Sequence, residues 1–178
     1  MKKINFTKMV ASGNDFIVIG AGIRSSMPVR QAGGYPIAYF AQKACDRKYG
    51  IGADGLLLLE RSGIADIRMR IFNADGSEAE MCGNGARCAS LFLSKKLKKQ
   101  RLKIETKAGV ILSEAKGESI KIRLTPPQDI RLDIPIRVEG RPLRVNFVNT
   151  GVPHVVIFCE GLEDIDVHSI GKAVRFHR

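Results

Sequence analysis

The chain has 178 residues, 44% of them apolar, with a mean hydropathy near zero; this fits one globular domain plus part of another and excludes a disordered chain. Lys and Arg outnumber Asp and Glu by 29 to 18, a net charge of +11, which suits an anionic small molecule and raises the question of nucleic acid, but 6% aromatic residues and no Trp argue against a stacking platform for single strands. No run approaches the roughly 20 apolar residues of a membrane span.

In chain order, INFTKMVASGNDFIVIG is predicted to be strand, turn, strand, with turn chemistry in SGND and a β-branched second strand. A helix follows at about 36–48. Ile37, Phe40, Ala41, Ala44 and Cys45 recur at helical spacing, and Gly50 lies just beyond as a stop. GLLLLE is a short buried strand, and IADIRMRIFNADG alternates as a half-exposed strand that turns at Asp75-Gly76.

Asn84 or Gly85 is expected to cap a helix running to about Lys99. Its apolar positions Ala86, Ala89, Leu91, Phe92 and Leu97 surround much of its early turns, so other elements should wrap it. RLKIETKAG, VILSEAKG and ESIKIRLTP are strands joined by glycine turns. Pro126-Pro127 breaks the pattern, which puts a first domain at 1–126 and the opening portion of a second at 127–178. DIPIRVEGRPLRVNFVNTG and PHVVIFCEG are again strand-like.

Four cysteines, Cys45, Cys82, Cys88 and Cys159, form no CxxC pair and have no His at ligand spacing, so no metal site is expected. MKKINFTKMV lacks the apolar core of a signal peptide, which makes free thiols in a reducing cytoplasm the expectation. GIGADG, Gly50 to Gly55, satisfies G-x-G-x-x-G, but a helix precedes it and a strand follows. A dinucleotide site needs the reverse order, so a tight helix-to-strand connection fits better.

ADGSEAEMCGNGARC carries the strongest chemistry. Cys82 stands at a glycine-rich turn opening a helix, where unpaired amides and the helix dipole favour a thiolate. The amides of Gly83-Asn84-Gly85 can receive a carboxylate at the same place. Such a pairing suits removal of a proton α to a carboxylate. Spacing alone equally fits a buried cysteine in a glycine-rich cap.

KMVASGNDF, GIGADG, RIFNADGSEAEMCGNGARC and NTGVPH occur in the order found in diaminopimelate epimerases, and the chain resembles that family from Lys8 to His154. Proline racemases share the fold but typically have His after CG, where this chain has Asn84. The resemblance implies an α/β (α+β) fold in which each domain is an antiparallel sheet wrapped around a central helix. It also implies a cofactor-independent amino-acid epimerase that inverts LL- to meso-diaminopimelate with two thiols, in lysine and peptidoglycan biosynthesis. Cys82 matches the first catalytic cysteine, and His154 a histidine that tunes thiol acidity. Asn14, Asn73, Gly83 and Asn84 match substrate-binding positions. A small-molecule substrate, a homodimer and a cytoplasmic location follow from the same resemblance, with no nucleic acid, membrane or cofactor.

The chain departs from the pattern at Val10-Ala11-Ser12, at Gly55 where many members have Gln, and at Val152 where many have Asn. The family's partner cysteine, in an ACGTG-like motif preceded by Glu-Arg, has no match here. The 178 residues alone are therefore expected to show negligible epimerisation. Cys45, Cys88 and Cys159 are expected to be core thiols, and Lys95, Lys96, Lys98, Lys99 and Arg101 a solvated helix end. Two competing readings remain at this point: another racemase of the same fold, and a basic nucleic-acid-binding module.

Overall fold

The computed structural model describes residues 4–20, 31–32 and 35–177. Its chain contacts form two compact units, Met1–Thr125 and Pro126–Arg178. The first contains β1 (Thr7–Ala11), β2 (Asn14–Gly20), the short pair β3 (Gln31–Ala32) and β4 (Tyr35–Pro36), and α1 (Ile37–Cys45). It continues with β5 (Gly55–Glu60), β6 (Ile67–Asn73), β7 (Glu78–Ala79), α2 (Gly83–Leu97), β8 (Arg101–Thr106), β9 (Gly109–Lys116) and β10 (Ser119–Arg123).

One sheet runs in the order β1-β2-β5-β6-β8-β9-β10, with β7 paired to β6. Most neighbours are antiparallel, as expected. Two joins, β2 with β5 and β6 with β8, are parallel. These are the two places where a helix intervenes in the chain, because a parallel return needs a crossover longer than a hairpin. The runs FIVI and LLLL become intelligible here. Phe16, Val18, Leu57 and Leu59 face the α2 side with Ala86, Ala89 and Leu93. Ile17, Ile19, Leu56 and Leu58 face the other side with Ile37, Ala41 and Cys45 of α1. With both faces covered, every position is buried and the period-2 alternation disappears.

The sheet curls around α2. From Gly83 to Leu93 only Arg87 is exposed, so a helix with apolar and small residues on nearly all sides is satisfied by a sheet on nearly all sides. Ser90, buried within this turn, donates its hydroxyl to Ala86 O at 2.7 Å. Leu97 lies beyond the encircled part and is exposed, contrary to its expected apolar contact. Both helix boundaries also differ from expectation. α1 stops at Cys45 rather than near 48, because Asp46 turns out of the helix and its Oδ1 accepts from the Lys48 and Tyr49 amides, each at 2.8 Å. α2 is capped by Cys82 and not by Asn84 or Gly85.

The second unit contains β11 (Gln128–Val138), β12 (Arg141–Asn149), β13 (Pro153–Val156) and α3 (Val167–Arg175), with the antiparallel order β11-β12-β13. Glu139 and Gly140 both have positive φ and close a two-residue hairpin. β11 breaks register twice, near Asp129 and Asp133, which adopt left-handed backbone there. Asp166 caps α3 by accepting from the Ser169 amide at 3.0 Å. Val145 is the one buried apolar side chain among the described residues of this unit. Cys159 is exposed, which corrects the expectation of a core thiol: the chain leaves β13 at Val156, and no layer of this unit covers the next residues.

Candidate functional site

Strand register gathers the site. Phe16 pairs with Gly55, and Gly55 with Asn73. The start of β2, the start of β5 and the end of β6 therefore share one end of the sheet, and Asn14, Asp54 and Asn73 stand together there. The N-terminus of α2 joins them, because Asn84 Nδ2 donates to Asn14 Oδ1 at 2.8 Å. Asn73 is held by a tight turn. Its amide donates to Ser77 O at 2.8 Å, its Nδ2 donates to Ser77 Oγ at 2.9 Å, and Gly76 N donates back to Asn73 O at 2.9 Å. Asp75 and Gly76 form that turn, with Ser77 N donating to Asp75 Oδ1 at 2.8 Å.

Cys82 is half-buried, and its Sγ accepts from Gly85 N at 3.4 Å while its carbonyl accepts from Ala86 N at 2.8 Å. Ahead of these, the Gly83 and Asn84 amides find no acceptor among the described residues. No acidic side chain occupies the first turn of α2. The end of a helix dipole and two amides without an acceptor thus directly follow Cys82 in the chain, an arrangement suited to an anion.

Sequence reasoning missed the charged cluster beneath the asparagines. Arg47 donates to both oxygens of Asp15, at 3.2 and 2.8 Å, and to Asp54 Oδ1 at 2.7 Å. Lys8 pairs with Asp15 at 2.9 Å and also donates to Gly52 O. The Asp15 and Asp54 amides each donate to the other's carboxylate, at 3.1 and 2.9 Å. The Arg47 guanidinium, then Lys8, holds the Asp15 carboxyl well below the usual carboxylate range. Asp54 is also lowered, first by the hydrogen bond from Asn14. The signal was available: Asp15 directly follows Asn14, and Asp54 sits inside GADG.

The segment that leads to Cys82 is pinned by Glu78 on β7. Arg70 on β6 grips it at 2.7 and 3.1 Å, and Lys107 reaches it at 2.9 Å. The Arg70 hydrogen bonds bring the Glu78 carboxyl from 4.5 down to about 2, against a smaller opposing effect of burial. Cys45 and Cys88 are buried core thiols, as expected, and burial pushes each up to about 11. In the expected solvated lysine cluster, Lys95 pairs with Glu118, Lys99 with Asp66 and Arg101 with Glu114. Two surface concavities of about 830 and 730 Å³ lie elsewhere on the first unit, and neither is lined by Asn14, Asn73, Cys82, Gly83 or Asn84.

His154 belongs to the second unit. It pairs with Val148 across β13 and β12 and is exposed. Its Nδ1 lies 2.6 Å from Val152 O and 3.4 Å from Thr150 Oγ1. A carbonyl can only accept, so the Val152 contact calls for a proton on Nδ1.

Comparison with known proteins places these features in context. Residues 6–129 match the family model described as diaminopimelate epimerase. A diaminopimelate epimerase of Caldanaerobacter subterraneus subsp. tengcongensis is 40% identical over 190 residues, covering 96% of this chain and 66% of the relative. One from Aquifex aeolicus is 38% identical over 179 residues, covering 98% of this chain and 64% of the relative. The chain thus spans just under two thirds of the length of these curated relatives. Among solved structures, a hydroxyproline epimerase from Agrobacterium vitis superposes with a TM-score of 0.63 at 15% identity, covering 93% of this chain and 52% of that one. A PhzF-family phenazine biosynthesis protein from Bacillus anthracis gives 0.62 at 24% identity, covering 92% and 58%. At these identities the structures speak for the fold alone.

Proposed function

This chain belongs to the diaminopimelate epimerase family, and from that premise we propose that it supplies one thiol and most of one substrate-binding face of a cofactor-independent diaminopimelate epimerase. The observation that carries the proposal is Cys82 capping α2, with the Gly85 amide aimed at its sulfur and the free Gly83 and Asn84 amides beside it. A cysteine sulfur at the start of a helix, next to donors that can hold an anion, is the kind of group the reaction needs as its base.

In the proposed step the Cys82 thiolate removes the α-proton, breaking C–H and forming S–H. A second thiol, on the opposite face, delivers its own proton to the carbanion. No electrons are transferred and no group leaves. The Gly83 and Asn84 amides receive the α-carboxylate, where negative charge grows as the proton departs. Asn14 and Asn73 hold the amino-acid substrate at the sheet end, and His154 tunes a thiol. By the family reading the product serves lysine and peptidoglycan biosynthesis in the cytoplasm, the protein acts as a homodimer, and neither nucleic acid nor membrane is a partner. Among the described residues no helix is long and apolar enough to cross a membrane.

The test is interconversion of LL- and meso-diaminopimelate by the whole protein, followed by circular dichroism of the amino acid. Cys82→Ser is expected to lower kcat by at least about 1,000-fold, the scale of losing a catalytic base or nucleophile. Near-normal turnover in that variant rules the thiol assignment out, and preference for a mono-amino acid overturns the substrate. Residues 1–178 alone are expected to show negligible interconversion.

A further inference from the structure

We infer that Asp54 and Arg87 are positioning residues that fix the orientation of two carboxamides, Asn14 and Asn84, through a one-way hydrogen-bond relay. The inference rests on the reading above, in which Asn14 meets the substrate through its side chain and Asn84 through its backbone amide, and extends it to the Asn84 carboxamide and to two charged residues which that reading does not use.

The relay has three bonds. Arg87 Nη1 donates to Asn84 Oδ1 at 2.7 Å. Asn84 Nδ2 donates to Asn14 Oδ1 at 2.8 Å. Asn14 Nδ2 donates to Asp54 Oδ2 at 3.0 Å. All three run the same way, from guanidinium to carboxylate. A guanidinium can only donate and an ionised carboxylate can only accept. The charged ends therefore dictate the direction of every bond between them. Turning either amide over would set donor against donor at one contact and acceptor against acceptor at the other, whereas an asparagine pair without such ends could be satisfied either way round.

Each carboxamide has two N–H groups and two acceptor lone pairs. The relay takes one donor and one acceptor position from each. What remains, one N–H and one lone pair per amide, is then presented to a ligand in a defined sense. That is the work of a residue acting through another.

Asp54 is itself anchored. Its Oδ1 accepts from Arg47 at 2.7 Å, and its Oδ2 also accepts from the Asp15 amide at 3.1 Å. Both oxygens are committed as acceptors, so an asparagine at this position fails at one side. If its oxygen faces Asn14 and the Asp15 amide, its NH2 meets the Arg47 guanidinium. If its oxygen faces Arg47, its NH2 meets the Asn14 NH2. Arg87 differs in kind. It is exposed near the start of α2 and touches the relay at the Asn84 end, so its replacement disturbs direction with little cost in packing.

The experiment follows the side-chain NH2 resonances of Asn14 and Asn84 in ¹⁵N–¹H spectra of the 178-residue chain, assigned by their loss in Asn14→Ala and Asn84→Ala. Asp54→Asn is expected to shift the Asn84 pair, which it does not touch, more than any carboxamide outside the relay. Arg87→Met is expected to shift the Asn14 pair, and Arg87→Lys, which restores a donor, to return it toward its original position. In an Asn14→Ala background, Asp54→Asn should no longer move Asn84. An unmoved Asn84 pair in folded Asp54→Asn, or one that moves equally without Asn14, overturns the relay. If Asp54→Asn does not fold, Arg87→Met at the exposed end decides, and an unmoved Asn14 pair is then fatal. In the diaminopimelate assay of the whole protein, both variants should raise KM with kcat little changed, since the thiols are untouched; a fall in kcat at unchanged KM would overturn the positioning role. The spectra need neither Cys82 nor substrate, so a failed relay leaves the thiol reading intact and a failed thiol test leaves the relay.

Discussion

The two units are built from similar materials, mostly antiparallel strands with tight hairpins and helices, yet they bury very different amounts of them. The first carries apolar clusters on both faces of its central strands and encloses most of a helix. Among its described residues the second has one buried apolar side chain, Val145, and exposes Leu132, Phe158, Val167 and Phe176. Hydrogen-bonded strands alone give little net stability in water, while burial scales with apolar area. The first unit therefore carries the folding free energy, and the proposed thiol caps the helix that this unit encloses.

The largest effect should come from the enclosed helix. Leu93 is completely buried on α2 within the cluster that includes Leu57, Met69 and Ile104. Leu93→Ala is expected to cost about 2–5 kcal/mol, transfer and cavity contributions together. Phe158→Ser, at a side chain 84% exposed, should change stability by less than about 0.5 kcal/mol. Urea unfolding followed by circular dichroism measures both. Equal losses would break the comparison, because they would mean that the second unit depends on Phe158 as the first depends on Leu93.

Much of the first unit was legible in its sequence, for physical reasons. Ala86, Ala89 and Phe92 on several sides of one helix could only be satisfied by surroundings on several sides. The glycine-rich turn at 83–85 marked where the amides of α2 would be free. Other features were hidden because they arise only on pairing. Nothing in FIVI or LLLL separates a strand with a parallel neighbour from one with an antiparallel neighbour. Asp15 and Asp54 lie 39 residues apart in sequence and meet only when β2 and β5 align. Cys82 was expected near the helix start, but its role as the cap depends on the rotamer of a thiol, which spacing does not specify. Cys159 shows the opposite error. Free cysteine is a residue type that predicts burial, and the second unit has no layer to provide it at this position.

A matched pair of glycines sharpens the contrast at the level of turns. Gly76 and Gly140 have nearly the same backbone, φ of 85° and 81°, so alanine suffers the same left-handed strain at each, about 1–2 kcal/mol. Their surroundings differ. A Cβ on Gly76 would lie 2.7 Å from Ala38 O, whereas one on Gly140 would meet nothing within 4 Å. Gly140→Ala should therefore show the strain alone, and Gly76→Ala about 1–3 kcal/mol more from overpacking. Thermal unfolding of the two variants side by side gives that difference directly. Equal costs would show that the turn at Gly76, which holds Asn73, is free to move away from α1.

The smallest contrast is electrostatic. Glu78 and its partner Arg70 are 18% and 21% exposed, whereas Asp133 and Arg144 are 68% and 67% exposed. With its carboxyl lowered from 4.5 to about 2 in the folded chain, Glu78 binds protons more weakly folded than unfolded. Its contribution is thus fully present above pH 4.5 and is lost as pH falls toward 2, a total of about 1–2 kcal/mol once solvent screening is allowed for. Glu78→Gln should remove that much stability at pH 7 and flatten the acid side of the stability profile between pH 4.5 and 2. Asp133→Asn, at a solvated pair, should change stability by no more than about 0.5 kcal/mol. The informative measurement is the slope of unfolding free energy against pH in both variants. A slope that survives Glu78→Gln would mean that other carboxylates, Asp15 foremost with its Arg47 and Lys8 partners, govern acid unfolding of the first unit. The anchoring of the Cys82 segment would then owe more to β7 pairing than to charge.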